Sequence, residues 1–331
     1  MTYIIAEAGV NHNGDLNRAL ELCRVAHKAG CDAVKFQTFI AEKVVTENAI
    51  KANYQKNTTG EGTQLEMIRS LELKWPAFVA LKEECDRLGI AFLSTAFDSE
   101  SLDQIDELNV SCHKIASGEI TNLFFLRRVG SKGKPVFLST GMSTLGEIET
   151  ALDILEMAGT SRDKITVLHC NTEYPTPMQD VNLRVLKTLR RAFDVGVGYS
   201  DHTLGIEVAI AAVAMGAQVI EKHFTLDRSL SGPDHKASLE PDELQALVRA
   251  IRNIEIARGD GVKRVSPSET QNRLVARRSL VASRPITKGS LFSEQNVTAK
   301  RPAGGISPML WHQVCGNVAR RDFAVDEYIE P

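Results

Sequence analysis

Eight short apolar runs recur along the first 224 residues, each separated from the next by a stretch with the spacing of an amphipathic helix. They are TYIIAEAG (2–9), DAVKFQ (32–37), IAFLST (90–95), HKIAS (113–117), PVFLST (135–140), ITVLHC (165–170), VGVGYS (195–200) and AQVIEKHF (217–224). Runs this short and this apolar suit strands covered on both faces. Between them, 16–29, 75–88, 145–158 and 206–215 carry apolar residues at three- and four-residue spacing, and Gly30, Gly89, Gly159 and Gly216 stand where those helices should stop. Segment 241–258 supplies an eighth helix, with Pro241 suited to its first turn. Eight βα units predict an α/β fold, a closed (β/α)8 TIM barrel. An open doubly wound sheet is the runner-up, but no G-x-G-x-x-G follows the first strand.

The chain is long enough for such a barrel and an appendage: 331 residues, 43% hydrophobic and 24% charged. We assign 1–260 to the barrel, 261–275 to a polar linker and 276–331 to a small β-rich domain, too short to be stable alone with assurance and expected to dock onto a barrel. Formal net charge is −3, without basic runs, which argues against nucleic-acid or membrane-surface binding. No stretch approaches the roughly 18 apolar residues of a membrane span, and the N-terminus lacks a leader pattern, so a cytoplasmic protein is expected. Six scattered cysteines without a C-x-x-C pair read as reduced thiols, not a zinc finger.

Chemistry in a barrel of this type sits at the C-terminal strand ends. Strand seven runs into Ser200-Asp201-His202, and strand eight ends Glu221-Lys222-His223. Neighbouring strands lie about 4.8 Å apart, and alternation puts Ser200 with His202 and Glu221 with His223 on one face. Two imidazoles at matched ends can therefore converge on one cation; separate hydrogen-bonding roles for the two rings are the equal alternative. Imidazole suits zinc or iron, while added water and substrate oxygens admit manganese or magnesium. Lys35 and Lys114 lie inside otherwise apolar strands, where an ammonium needs an anion. With Ser94, Thr95, Ser139 and Ser200 they can hold a phosphate and a carboxylate; an internal ion pair with Glu7 or Glu221 is the competing account. Glu7 can orient a hydroxyl or move a proton, His12 is expected to cap the first helix, and Tyr174-Pro175-Thr176-Pro177 forms a stiff loop at the mouth.

IAEAGVNHNG, AVKFQTF, KIASGE, LSTGM, HCNTEYPTP, GYSDHT, EKHFTLD and SGPDHKAS, taken in order, resemble the sialic acid synthase family, which includes N-acetylneuraminate, legionaminate and pseudaminate synthases. ITKGSLFSEQNVTAKRP resembles that family's antifreeze-like (SAF) domain. The resemblance implies condensation of phosphoenolpyruvate with an N-acetylated mannosamine-type sugar to a nonulosonic acid, with release of phosphate. N-acetylneuraminate synthesis is the first reading. Use of 2,4-diacetamido-2,4,6-trideoxymannose to make N,N'-diacetyllegionaminate is the second. It further implies His202 and His223 as ligands of manganese or magnesium, and Lys35, Thr95, Lys114, Ser117, Ser139 and Ser200 around phosphoenolpyruvate. Glu7, Gln37, Tyr174 and Asp234 would face the sugar, and Arg301 would reach it from the partner subunit of a domain-swapped homodimer. Asn171 is assigned to the phosphate, although the family's loop pattern is shifted there (Asn171-Thr172 before Tyr174). Glu7 or Glu119 moves the protons, Glu7 by preference, and the loop 51–64 is expected to read the sugar. Two other classes compete: a Schiff-base aldolase using Lys114 or Lys222, and a carbohydrate- or ice-binding protein built on the C-terminal domain.

Overall fold

The computed structural model describes residues 1–330, apart from the side chains of Tyr54 and Asn57. Residues Met1–Gly259 form one compact unit, and a second begins at Asp260.

Eight strands close the first unit into a parallel barrel in sequence order: β1 (Tyr3–Gly9), β2 (Ala33–Thr38), β3 (Ala91–Ala96), β4 (His113–Ile115), β5 (Val136–Ser139), β6 (Ile165–His169), β7 (Gly196–Asp201) and β8 (Val219–His223). Every strand expected from the apolar runs is present. The helices Leu16–Ala29, Trp75–Leu88 and Leu145–Ala158 form where the periodicity placed them, and Gly30 and Gly89 end theirs in the left-handed conformation (φ +84° and +76°). The helix Glu207–Ala214 forms within the expected 206–215, the helices Ser99–Glu107, Leu123–Gly130 and Val185–Phe193 complete the outer layer, and Pro241–Ala257 comes last. Their inward stripes pack against the outward faces of the strands in one continuous apolar core.

The barrel interior has two levels. Ile5, Ala33, Leu93, Cys112, Leu168 and Val219 make a dry apolar plug. Two residues further along the same strands stand Glu7, Lys35, Thr95, Lys114, Cys170 and Glu221, which the period of two returns to the same inward face. Gly198 occupies the plug level of β7. A Cβ there would fall 2.6 Å from Leu168 Cδ2 and 2.6 Å from the Val219 carbonyl oxygen, so Leu168 and Val219 already fill that space.

Between β2 and β3 the chain makes an insert. The segment 51–64, expected as a loop, contains the helix Asn53–Thr59 and leads into a second helix, Gln64–Leu71, whose N-terminus is a Thr63/Glu66 capping box. The Lys51 ammonium donates to the carbonyls of Gly60 and Glu61 at 3.1 Å each and ties the first helix's far end back to its start.

In the second unit, 261–275 is not a bare linker: a 3₁₀ turn, Pro267–Glu269, runs into an exposed helix, Thr270–Ala276. Beyond it, β9 (Ser279–Ala282) pairs antiparallel with β10 (Val297–Lys300) over a core that includes Leu280, Ile286, Phe292, Val314, Phe323 and Ile329. Among the described residues no helix is long and apolar enough to cross a membrane.

Candidate active site

The strand register brings the polar upper level together. Glu7 lies beside Lys35 on one side and His223 on the other, Thr95 beside Lys114, and Ser200 beside Glu221. Lys35 Nζ is 2.6 Å from Glu7 Oε2, donates to Thr95 Oγ1 at 2.9 Å, and lies 3.6 Å from Glu221 Oε2. Lys114 Nζ is 3.6 Å from Glu221 Oε1, which also accepts from the Ser200 hydroxyl at 2.9 Å. The internal ion pairs weighed from sequence thus exist, and they form part of a cavity wall. Glu221 is their hub, a role the sequence reading gave it only as a possible lysine partner. Its spacing of two from His223 on β8 was the available signal.

Burial and charge oppose each other here. Burial lifts the Glu7 carboxyl pKa to about 7, although Lys35 pulls it down. Burial also works to raise Glu221, but Lys114 and Lys35 outweigh it and hold this carboxyl at about 2. Burial would lower Lys35, yet Glu221 and Glu7 keep it above the ordinary lysine range; Lys114, with weaker pairing, is lowered by burial.

The two imidazoles meet at the rim with ring centroids 5.3 Å apart, and the Tyr174 ring stacks on His202 (4.1 Å) and meets His223 edge-on (5.5 Å). His202 Nδ1 donates to the Asn171 carbonyl at 2.5 Å, which fixes the tautomer and leaves Nε2 without a proton. Buried His223 Nδ1 has no hydrogen-bond partner, the nearest carboxylate being Asp234 Oδ2 at 3.8 Å. Burial keeps His202 (about 4) and His223 far below the ordinary imidazole value, so both are neutral donors. This donor set fits one divalent cation held by His202 and His223. No third His, Cys, Asp or Glu joins them in a metal-binding cluster among the described residues, which leaves other coordination positions to water or substrate. Burial raises Asp234 to about 6.

One cavity of about 310 Å³ gathers Glu7, Lys35, Gln37, Thr95, Lys114, Ser117, Ser139, Tyr174, Ser200, His202, His223 and Asp234. Two members expected from this chain, Glu119 and Asn171, are elsewhere, and Arg301 is expected from a partner subunit. Glu119 does not line the cavity; its carboxylate accepts from Asn122 Nδ2 at 2.7 Å, so of the two carboxylates expected to move protons only Glu7 lines it. The Asn171 side chain also turns from the cavity: its Oδ1 accepts from the Glu173 backbone at 2.7 Å, and its carbonyl orients His202. Arg301 is exposed in the second unit, just past β10. His12 does not cap the first helix either; Asp15 does, accepting from the Asn17 and Arg18 backbones. Lys222 points outward from β8, sealed against Asp201 at 2.9 Å with both side chains fully buried. Of the two lysines considered for a Schiff base, Lys114 alone lines the cavity.

Ammonium groups held this deep among hydroxyls are suited to an anion that can compete for them, and they stand where barrels of this kind carry out their chemistry. The class is therefore a (β/α)8 enzyme for an anionic substrate. The NeuB family profile matches residues 22–263 and the SAF domain profile matches 277–331. N,N'-diacetyllegionaminic acid synthase of Campylobacter jejuni is 52% identical over 99% of this chain and 98% of that protein. Human N-acetylneuraminate-9-phosphate synthase is 33% identical over 99% of this chain and 92% of its own length. The solved N-acetylneuraminic acid synthetase of Leptospira borgpetersenii superposes with a TM-score of 0.72 at 36% identity, covering 82% of this chain and 90% of that one. The chain belongs to the NeuB family of sialic acid synthases, and it is an enzyme of the condensation type.

Proposed function

We propose that the protein joins phosphoenolpyruvate to the open-chain aldehyde of an N-acetylated mannosamine-type sugar, giving a nonulosonic acid and phosphate, as a cytoplasmic transferase. The carrying observation is the pair of buried lysines, Lys35 and Lys114, set among hydroxyls beside two neutral imidazoles in one cavity. The family's printed activities supply the substrates.

In this reading Lys35 and Lys114 neutralise the phosphate and carboxylate, and Thr95, Ser117, Ser139 and Ser200 hydrogen-bond their oxygens. Gln37, Tyr174 and Asp234 face the sugar with Glu7. His202 and His223 hold the cation, manganese or magnesium, which when bound supplies Lewis-acid polarisation of the aldehyde oxygen. The phosphoenolpyruvate methylene carbon bonds to the aldehyde carbon, and water adds at the phosphate-bearing carbon. Glu7 takes the proton that this water gives up and passes it to the alkoxide left on the former aldehyde carbon, a task suited to a carboxyl with a pKa of about 7. Expulsion of phosphate leaves the keto group. Holding both reactants in one dry cavity supplies orientation. Arg301 completes the sugar site of a second copy in a homodimer with exchanged C-terminal units.

A phosphate-release assay with phosphoenolpyruvate and each of the two amino sugars tests this. Release that depends on a sugar, together with a nine-carbon keto acid in the products, is the expected result. Silence with both sugars defeats the reading.

A further inference from the structure

The cavity has two chemical characters. Its charged floor belongs to the strands, as described. Its opposite lining comes mostly from the insert between β2 and β3 and from the residue after β3, and is largely apolar: Val44, Val45, Ile68 and Phe97 face the cavity half-buried, with Gln55 and Gln64 as the polar members of that side. Beside them Met67 and Leu71, each 7% exposed, also line the cavity and pack with Val10 and Phe39 into a small separate core. Phe39 meets Phe97 edge-on at 6.3 Å, which steadies that side. Met67, Ile68 and Leu71 lie on one face of the helix Gln64–Leu71, so a single element backs and lines the wall.

Met67 and Leu71 are explained as packing for the insert. Val44 and Ile68 pack against this core as well, but together with Val45 they stay half-buried and leave apolar surface on the cavity, which favours a ligand that covers them with apolar atoms. The two candidate sugars differ in the direction this wall would sense. Relative to N-acetylmannosamine, the 2,4-diacetamido-2,4,6-trideoxy sugar exchanges a ring hydroxyl for an acetamido group, which adds a methyl, and a terminal hydroxymethyl for a methyl. Both exchanges increase apolar surface, so either substituent gains by meeting the wall.

Resting on the condensation reading above, we propose that Val44, Val45 and Ile68 determine specificity by contacting the methyl groups of a 6-deoxy, diacetamido sugar, and that this sugar is the preferred substrate. A hydroxylated sugar bound there loses hydrogen bonds to water and finds no replacement on these side chains.

The test is steady-state phosphate release with phosphoenolpyruvate and each sugar, for wild type, Val45→Thr and Ile68→Asn. Val45→Thr is nearly isosteric and keeps the fold available if Ile68→Asn proves unstable. Wild type should prefer the diacetamido-trideoxy sugar by at least about tenfold in kcat/KM, the scale on which apolar pockets discriminate. Each variant should lower that preference by roughly tenfold, mainly through the sugar KM, with the KM for phosphoenolpyruvate unchanged. A preference ratio that is the same in wild type and both variants overturns the proposal, as does a wild type that prefers N-acetylmannosamine. Either result leaves the condensation reading standing, whereas no turnover of either sugar removes both.

Discussion

Glu7 and Lys35, neighbours in register on β1 and β2, face each other across 2.6 Å inside the barrel, with side chains 2% and 3% exposed. The ion pair keeps a carboxylate and an ammonium side by side in a place where either alone would be costly. It also gives the site a proton acceptor that changes state near neutrality.

Because burial lifts Glu7 to about 7, the deprotonated form needed to accept a proton is lost as pH falls through that value. We expect kcat/KM to decline on the acid side with a midpoint near 7. Glu7→Gln should lower kcat by about 10²- to 10⁴-fold and flatten that limb. An acid limb that persists unchanged in the variant assigns it to another group.

The two imidazoles, neutral and with ring centroids 5.3 Å apart, should bind manganese or magnesium in the absence of substrate. Chelation is expected to abolish turnover and added manganese to restore it. Calorimetry should show that His223→Ala loses cation binding. Full turnover by thoroughly chelated enzyme contradicts this assignment.

Lys222 and Asp201 form a fully buried pair outside the cavity. Lys222→Met removes one partner and should cost about 3–5 kcal/mol of stability in denaturant unfolding. Borohydride should trap no substrate adduct on the wild-type protein. An adduct on Lys114 revives the aldolase reading.

Gly198→Ala places a methyl group within 2.6 Å of Leu168 Cδ2, inside the plug. The expected loss is about 1–3 kcal/mol, visible as a lower thermal midpoint. A neutral outcome shows that the plug has room to relax.

Arg301→Ala should raise the sugar KM far more than the phosphoenolpyruvate KM, and the wild type should sediment as a dimer. Equal effects on both substrates count against an arm supplied by a partner.

The eight strands were legible because each is a short apolar run bounded by turn residues, and the His202/His223 pair because alternation on adjacent parallel strands fixes where side chains point. Loop residues obey no such period, and there the reading failed: Glu119 and Asn171 follow strands closely, yet both turn away from the cavity. The insert was taken for a loop on its Asn, Thr and Gly content, although Thr63-x-x-Glu66 already spelled a helix start. Alternation put Glu221 on the His223 face and Lys222 on the other, but its place as hub between two lysines needed the register of the neighbouring strands.

The apolar plug beneath Lys35 and Lys114 closes one end of the barrel, so the reaction chamber is a well with a single door. If phosphoenolpyruvate sits on the lysines, as proposed, it must arrive before the sugar closes over it. Depth then sets the order of binding, and a kinetic study should find phosphoenolpyruvate as the first to enter.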